Sequence, residues 1–266
     1  MTEKITSAQN AKFKNLLTLQ EKSRARREQG LFVVEGRREL EHCLEGGYHV
    51  RTLFFCPEIL GTDAAVSLQR LCPGALAVEI PAALYRKAAY REGTEGVIAL
   101  VETRTHCLED IHLQENPLIV VLEAVEKPGN LGAVLRSADA AGADAVIFCD
   151  PLTDLYNPNL IRASLGGLFT TQVAAAPTPE VIAWLQRKGF RILTAQLQDS
   201  SWYYDTDMKG GTALVMGTEA TGLTNPWREA ADAHIRIPML GKLDSLNVSV
   251  SAAILLFEAV RQRNTR

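Results

Sequence analysis

Residues 117–148, PLIVVLEAVEKPGNLGAVLRSADAAGADAVIF, decide the fold of this chain. Their first nine residues are almost continuously apolar, which is typical of a central strand covered on both faces. A Pro-Gly turn follows at residues 128–129, and then a helix whose apolar side chains form one stripe before Gly142 ends it. The segment DAVIF at residues 144–148 predicts a second strand and completes a strand–helix–strand unit. We therefore expect an α/β domain from residue 117 onward.

The alternation of strands and helices extends in both directions. Downstream, the apolar runs at 190–195 and 213–217 predict strands, and residues 246–263 predict a long final helix. Upstream, residues 30–101 alternate short apolar runs with helical segments, which favours a smaller α/β layer. The polar residues after this layer separate the two parts. The predicted organisation is a basic lead-in with an N-terminal domain over 1–105, a linker over 106–116 and a second domain over 117–266.

The composition is that of an ordinary globular protein. Of the 266 residues, 47% are hydrophobic and 22% are charged, which excludes a wholly disordered chain, a collagen and a coiled-coil rod. The net charge is −3, but residues 1–30 carry seven Lys or Arg against three Glu. This basic segment is either a solvated helix face or an arm that contacts phosphates.

Cysteine spacing and hydropathy indicate a soluble cytoplasmic protein. The five cysteines lie at least 13 positions apart, so they form no CxxC pair, and we expect reduced, mostly buried thiols. The N-terminus lacks the apolar segment of a signal peptide. The longest apolar uncharged run spans residues 245–257, whereas a membrane span needs about 18 residues. The five His residues are scattered, and no motif indicates a metal site.

Three polar segments stand at the ends of predicted strands, where open α/β sheets bind their ligands. The first is EKPGN at residues 126–130, followed by Arg136. Asn130 can cap the helix through its side chain. Arg136 lies outside the apolar stripe, so its guanidinium can reach the open end of the sheet. The alternative is a structural turn with a cap and a surface arginine.

The other two segments follow later strands. LVMGTEATGL at 214–223 places Glu219 in a loop with two glycines, where the backbone can approach a ligand closely. Glu219 is there either a functional acid or a surface acid in a turn. IPMLGKLDSLNVS at 237–249 places Ser245 and Asn247 at the start of the last helix, as caps or as ligand contacts.

Motifs of several other enzyme classes are missing from the sequence. The glycine loop lacks the Gly-Lys-Ser/Thr of a P-loop and does not match the GxGxxG dinucleotide fingerprint. GxSxG is absent, which disfavours a hydrolase. A nucleotide-dependent oxidoreductase on a doubly wound sheet remains a weaker alternative.

Together the three segments resemble the sequence motifs of the SpoU (TrmH-type) RNA ribose 2′-O-methyltransferases. NLGAVLRSADAAGA is similar to the first motif, LVMGTEATGL to the second and IPMLGKLDSLNVSVSAAI to the third, in the family's order. In the N-terminal part, FVVEGRRELEHCLEGG and TEGVIALV resemble the substrate-binding domain of the ribosomal-RNA branch.

This resemblance implies a fold, a cofactor and a substrate. The fold is a SPOUT-type α/β catalytic domain with a C-terminal trefoil knot, preceded by a small α/β RNA-binding domain. The cofactor is S-adenosylmethionine, the substrate is 23S ribosomal RNA, and the protein is a homodimer. The implied backbone contacts to the cofactor are Gly217, Ile237 and Leu246, with Thr194 and Met239 as neighbours.

The implied reaction is an in-line methyl transfer to a ribose 2′-hydroxyl, a weak nucleophile that must lose its proton. In the family, the arginine that matches Arg136 is proposed to activate this hydroxyl. Because a guanidinium scarcely deprotonates, a second role stays open, in which Arg136 grips a phosphate and stabilises the developing alkoxide. Asn130 and Glu219 are expected to orient Arg136 and the ribose, and Ser245 and Asn247 to hold the loop and the substrate.

RNA binding also needs cations that face phosphates. The candidates are five arginines of the N-terminal part: Arg24, Arg26, Arg27, Arg37 and Arg38. The sequence shows no obvious aromatic platform for stacking bases. Two alternatives to a 23S rRNA enzyme remain open, a tRNA 2′-O-methyltransferase and a catalytically silent RNA-binding or ribosome-assembly protein. No membrane partner is expected.

Overall fold

The computed structural model describes residues 2–90 and 95–264 and divides into two compact units. The first unit comprises Met1–Thr105 and Asp154–Thr170, and the second comprises His106–Thr153 and Thr171–Arg266. The first residue of the TEGVIALV segment lies outside the described residues.

The first unit is built on a five-stranded mixed sheet. Its elements up to Thr105 are β1 (Thr2–Lys4), α1 (Ala11–Glu21), α2 (Ser23–Gln29), β2 (Leu31–Glu35), α3 (Arg37–Glu45), β3 (Val50–Phe55), α4 (Pro57–Leu60), α5 (Thr62–Leu71), β4 (Leu76–Glu79), α6 (Ala82–Ala88) and β5 (Val97–Glu102). The strand order is β1-β4-β3-β5-β2, in which β5 runs antiparallel to β3 and β2 and the other pairs are parallel. Apolar residues of α1 and α6 pack on this sheet in one buried cluster.

The second unit contains a seven-stranded parallel sheet. The remaining elements of the chain are β6 (Leu118–Glu123), α7 (Pro128–Ala141), β7 (Ala145–Cys149), α8 (Pro158–Ala163), α9 (Gly167–Thr170), β8 (Gln172–Ala176), α10 (Thr178–Arg187), β9 (Arg191–Ala195), β10 (Ser201–Trp202), β11 (Thr212–Met216), α11 (Asn225–Ala230), β12 (Ala233–Arg236) and α12 (Val248–Asn264). The strand order is β10-β12-β9-β11-β6-β7-β8, and every pairing is parallel. The predicted α/β fold class is confirmed.

Strand β6 lies in the interior of this sheet, as its apolar sequence predicts. All six residues of β6 are buried, and β11 and β7 pair with its two edges. Ile119 and Val121 share a buried cluster with Trp184 of α10 and Trp227 of α11. A further helix, α12, packs against α7 and against strand β11, the neighbour of β6 in the sheet. A strand between two layers of helices must be apolar on both faces.

Residues 154–170 belong to the first unit, whereas the sequence prediction placed them within 117–266. Tyr156 stacks on Phe32 of β2 with ring centroids 4.3 Å apart, and Phe169 lies 5.9 Å from the same ring. The Leu165 carbonyl also lies 3.2 Å from His42 Nδ1. These aromatic contacts, which join residues more than 120 positions apart, explain why residues 154–170 belong to the first unit. The periodicity of the sequence does not reveal contacts between residues so far apart.

Several local elements differ from the sequence prediction. The basic lead-in begins with β1, a three-residue polar strand paired to β4 that is too short for an alternation pattern. The predicted helix over 161–169 is broken by Leu165 and Gly166, whose φ angles are 54° and 86°. The last helix begins at Val248 rather than at Leu246. Asn130 lies inside α7, because that helix already begins at Pro128.

Candidate active site

A cavity of 360 Å³ opens at the carboxyl ends of three neighbouring strands of the second unit, β9, β11 and β12. Its walls come from the residues after β9, the glycine loop after β11 and the segment that joins β12 to α12. Ligands bind at this edge in open parallel sheets, and small-molecule sites have volumes of about 300–1,000 Å³. The cavity is therefore of the right kind and size for a cofactor.

Gly217 begins the loop on one side of this cavity. A Cβ built on Gly217 would lie 2.2 Å from the Gly222 carbonyl oxygen and 2.7 Å from the Leu223 nitrogen. The loop closes there through hydrogen bonds between the Thr218 and Gly222 backbones, 3.3 and 3.0 Å long. The close approach of two backbone segments therefore requires glycine at 217.

Four of the five predicted cofactor residues line the cavity: Gly217, Ile237, Met239 and Leu246. Thr194 does not line it. Its side chain is fully buried, and the hydroxyl oxygen lies 2.6 Å from His234 Nδ1 on the neighbouring strand β12. The next residue, Ala195, takes the lining position. Thr194 therefore supports the wall of the cavity from behind.

Glu219, which also lines the cavity, is the centre of a polar cluster. We call Lys127, Asn130, Glu219 and Asn247 the Glu219 cluster. Lys127 Nζ lies 2.9 Å from Glu219 Oε2, and the amides of Asn130 and Asn247 donate to Oε1 at 3.0 and 2.9 Å. Asn247 Nδ2 also lies 3.1 Å from Asn130 Oδ1. The three motif segments thus meet at one carboxylate.

The Glu219 cluster holds its carboxylate ionised. The hydrogen bond from Lys127 is the main cause that lowers the pKa of Glu219 below its ordinary value of 4.5, and the charge of Lys127 and the Asn130 amide act in the same direction. An ionised carboxylate only accepts hydrogen bonds. Glu219 is therefore suited to orient amide groups and cations near neutral pH, and it holds no proton to donate.

Asn247 combines the two roles that the sequence left open. Its side-chain oxygen accepts from the backbone nitrogen and hydroxyl of Ser249 at 3.0 and 2.6 Å, which caps the start of α12. Its nitrogen donates to Glu219. Ser245 lines the cavity, and its hydroxyl lies 3.3 Å from Asp244 Oδ1. Both side chains are exposed, so they are accessible to a ligand.

Arg136 is exposed and lies apart from the Glu219 cluster. It is six residues from Asn130 on α7, about 240° around the axis at 100° per residue, so the two side chains leave different faces. Among the described residues Arg136 has no hydrogen-bond or ion-pair partner, and it does not line the cavity of its own chain. Its guanidinium is therefore available to a substrate phosphate or hydroxyl.

The predicted phosphate-facing arginines divide into two groups. Arg26 is a correction, because it is 2% exposed, pairs with Asp154 at 2.6 Å and donates to the Leu19 and Gln20 carbonyls. It stabilises the first unit and cannot face RNA. The other four are exposed: Arg24, Arg27, Arg37 and Arg38.

Three of the exposed arginines pair with nearby carboxylates, whereas Arg27 has no such partner among the described residues. Arg24 lies 2.6 Å from Glu28 and Arg37 lies 2.7 Å from Glu41, each four residues further along its helix. Arg38 lies 2.9 Å from Glu39. The first two pairs are exposed, whereas Glu39 is 7% exposed; exposed ion pairs are weak, about 0–1 kcal/mol each. An arginine in such a weak pair can leave its carboxylate and bind a phosphate instead.

Sequence reasoning missed Glu123, which holds the end of the glycine loop through hydrogen bonds to Thr224. Glu123 is 3% exposed at the end of β6 and accepts from the Thr224 nitrogen and hydroxyl at 2.8 and 2.5 Å, and from the Thr178 hydroxyl at 3.3 Å. Thr224 follows the glycine loop, so Glu123 fixes the end of that loop. An acid at the end of an otherwise apolar strand was the available signal.

Sequence reasoning also missed an aromatic surface at residues 202–204. Trp202 and Tyr204 are 36% and 46% exposed, and the guanidinium of Arg236 lies 4.3 Å from the Trp202 ring centroid. The signal was present as Trp-Tyr-Tyr in a polar segment between two strands. It did not stand out because nothing in the sequence showed that β12 places Arg236 beside it.

None of the five cysteines lines the cavity. Cys43, Cys56, Cys72 and Cys149 are buried free thiols, and Cys107 is an exposed one. Burial raises the pKa of Cys43 to about 12 and that of Cys72 to about 11. Within residues 2–90 and 95–264, no group of three or more His, Cys, Asp or Glu side chains is placed to hold a metal ion. No helix in this part of the chain is long and apolar enough to cross a membrane.

The fold and the cavity define a class of α/β domain that binds a small cofactor at the carboxyl edge of a parallel sheet. A model of the SpoU rRNA Methylase family matches residues 117–257. A model of the MRM3-like substrate binding domain matches residues 10–99. The chain belongs to the SpoU rRNA methylase family, which confirms the resemblance seen in its three motifs.

Relatives of known activity align along almost the whole chain. The 23S rRNA (uridine(2479)-2′-O)-methyltransferase of Streptomyces viridochromogenes is 33% identical, over 98% of this chain and 92% of its own. The 23S rRNA (guanosine(2553)-2′-O)-methyltransferase of Bacillus subtilis is 30% identical, over 96% and 98%. An AdoMet-bound rRNA methyltransferase of Sinorhizobium meliloti superposes with a TM-score of 0.87 at 32% identity, covering 98% of each chain.

Proposed function

We propose that this protein transfers a methyl group from S-adenosylmethionine to a ribose 2′-hydroxyl of 23S ribosomal RNA. The observation that carries the proposal is the Glu219 cluster, where the three motif segments of a SpoU-family chain meet beside a cavity of 360 Å³. The relatives from Streptomyces and Bacillus, which span nearly the whole chain, favour 23S rRNA over tRNA. A cytoplasmic location, where bacterial ribosomes are found, is part of this proposal.

The residues around the cavity fit S-adenosylmethionine. The closed loop after Gly217 offers backbone groups, and Ile237, Met239 and Leu246 offer apolar contact. When bound, this cofactor supplies a methyl group on a positively charged sulfur. The loop and the strand ends would hold it in place, and Ser245 and the start of α12 also line the cavity.

The chain must also prepare the 2′-hydroxyl, which is a weak nucleophile at neutral pH. The guanidinium of Arg136 is exposed and has no partner within residues 2–90 and 95–264. It can donate two parallel hydrogen bonds to a substrate phosphate and stabilise the 2′-oxygen as its proton leaves. Since Glu219 is ionised and already accepts three hydrogen bonds, its part is to fix the amides of Asn130 and Asn247. These amides in turn orient the ribose.

A homodimer through the second unit completes this proposal. On α12, Val250 and Phe257 are 46% and 48% exposed, seven residues apart and therefore on one face of the helix. A second copy of the chain would bury this face. Such a dimer leaves two routes for Arg136, which does not line the cavity of its own chain: action at its own site or at that of the second copy.

The first unit contributes RNA binding in this proposal. Its model match is a substrate-binding domain, and it exposes the four arginines Arg24, Arg27, Arg37 and Arg38. Phosphate contacts of this kind position an RNA and weaken as salt rises. Because phosphate contacts carry no sequence information, the specificity for one nucleotide must come from contacts to bases.

The proposal is tested by mapping ribose methylation in 23S rRNA from cells with and without the gene, and by restoring it with purified protein. We expect one 2′-O-methyl site to disappear from the deletion strain. The full-length protein with labelled S-adenosylmethionine should restore that site on the unmodified RNA. Folded protein that binds the RNA and methylates no ribose would overturn the proposal in favour of a silent RNA-binding protein.

A further inference from the structure

Two aromatic side chains stand exposed at the edge of the second unit's sheet. Trp202 ends β10, the outermost strand, and Tyr204 follows two residues later. Their ring centroids lie 6.4 Å apart with planes 22° from parallel, and Tyr203 contacts Tyr204 edge to face at 5.1 Å. One exposed aromatic residue is unremarkable, but two nearly parallel rings in solvent form a surface that can take a further flat group.

An arginine joins this surface to the cavity. Trp202 pairs in register with Arg236 of β12, and the Arg236 guanidinium carbon lies 4.3 Å from the Trp202 ring centroid. Arg236 also lines the cavity, and the next residue, Ile237, is one of its apolar walls. The aromatic surface and the cavity are therefore neighbours that share one side chain.

We propose that Trp202, Tyr204 and Arg236 form a stacking platform for an unpaired nucleobase of the RNA, next to the nucleotide whose ribose is methylated. This inference rests on the proposed function, since it assumes an RNA substrate at the cavity. Aromatic rings and arginine planes stack splayed-out bases in single-stranded RNA, and such stacking tolerates different bases. The platform would hold the flanking nucleotide and so present the target ribose to the cavity.

The charges nearby favour a base over a phosphate as the occupant. Asp199, Asp205 and Asp207 are exposed carboxylates close to Trp202 in the sequence. Carboxylates repel a phosphate backbone, whereas the face of a base is uncharged. Binding at the platform should therefore contribute little to the salt dependence of RNA affinity, in contrast to the arginines of the first unit.

The test compares Trp202→Ala and Tyr204→Ala with Trp202→Phe in the full-length protein. Loss of one stacking contact should raise the KM for RNA about tenfold with kcat nearly unchanged. Trp202→Phe, which retains a flat ring, should stay within about threefold of the wild type. The affinity for S-adenosylmethionine and the slope of RNA affinity against salt should stay the same in all three variants.

A fluorescent base gives an independent readout. An RNA with 2-aminopurine beside the methylated nucleotide should lose fluorescence on binding the wild type and keep it with Trp202→Ala. An unchanged KM with unchanged quenching overturns the platform. A loss of S-adenosylmethionine affinity as large as the loss of RNA affinity also overturns it, because the rings would then belong to the cofactor site. Dissociation of a dimer by Trp202→Ala overturns it as well, because the rings would then belong to a dimer interface. Failure of the proposed function is a separate result, because the wild type itself would then methylate no RNA.

Discussion

The side-chain nitrogen of Asn247 donates to Glu219 Oε1 at 2.9 Å, while its side-chain oxygen accepts from the backbone nitrogen of Ser249 at 3.0 Å. One amide therefore joins the loop after β11 to the first turn of α12. Residues of both segments line the cavity. The position of Glu219 and the start of the last helix are thus coupled, so a substitution that displaces one should also displace the other.

Replacing Glu219 by Gln tests this coupling. The new amide retains one acceptor and gains a donor, so it cannot satisfy Lys127, Asn130 and Asn247 together. A displacement of about 1 Å at a reacting group can cost about 10²-fold in rate, and we expect kcat to fall by that order. Single-turnover methylation with labelled cofactor measures it.

Lys127→Ala is the matched control for Glu219→Gln. It removes an exposed ion pair, worth about 0–1 kcal/mol, and leaves both amide contacts to Glu219 in place. We expect methylation within about threefold of the wild type. An equal loss in the two variants would show that the ion pair, not the orientation of the amides, matters.

The pH dependence of the Glu219 cluster follows from its lowered pKa. Because the folded-state pKa lies below the unfolded value near 4.5, the cluster contributes stability above that value and loses it as pH falls through the folded pKa. Between pH 5 and 8 the carboxylate stays ionised. We therefore expect the methylation rate of the wild type and of Glu219→Gln to change with pH in parallel over this range. If the methylation rate of the wild type rose or fell with pH where that of Glu219→Gln stayed constant, Glu219 would have a proton-transfer role.

The sequence predicts the central parts of the fold well because they are locally encoded. The apolar run over β6 and the stripe of α7 each carry a pattern of their own, and both elements form as expected. The polar strand β1 carries no such pattern, since Thr2–Lys4 become a strand only by pairing with β4. The segment Asp154–Thr170 joins the first unit through contacts distant in sequence, such as Tyr156 on Phe32.

The site was predictable to the same extent. Gly217, Ile237, Met239 and Leu246 follow from motif positions, and the structure places them around one cavity. The burial of Arg26 could not be read from its basic neighbours, because its partner Asp154 lies 128 positions away.

Gly217→Ala should remove cofactor binding. Its Cβ would lie 2.2 Å from the Gly222 carbonyl oxygen, so the loop after β11 has to open. We expect the affinity for S-adenosylmethionine, measured by calorimetry, to fall at least about tenfold. Gly210→Ala is the control, since no atom lies within 4 Å of its added Cβ. Cofactor affinity that survives Gly217→Ala would exclude this loop from the cofactor site.

Arg136→Ala should abolish turnover and leave cofactor affinity nearly unchanged. The side chain is exposed, does not line the cavity and has no partner in the described parts of the chain, so its loss should also leave the melting temperature unchanged. Arg136→Lys should rescue poorly, because a lysine cannot make a bidentate contact with phosphate. Full activity of Arg136→Ala would remove this residue from the mechanism.

Arg26 and Arg27 are adjacent arginines with opposite surroundings, and they should separate stability from RNA binding. Arg26→Ala leaves Asp154 and two backbone carbonyls without their buried partner, which should destabilise the first unit by about 3–5 kcal/mol. Arg27→Ala removes an exposed cation and should leave the melting temperature unchanged while it weakens RNA binding. If Arg27 contacts a phosphate, the slope of log affinity against log salt should become smaller by about 1. The measurements are thermal unfolding and RNA binding at several salt concentrations. Normal stability of Arg26→Ala would contradict its structural role, and an unchanged salt slope for Arg27→Ala would show that this face of α2 does not bind RNA.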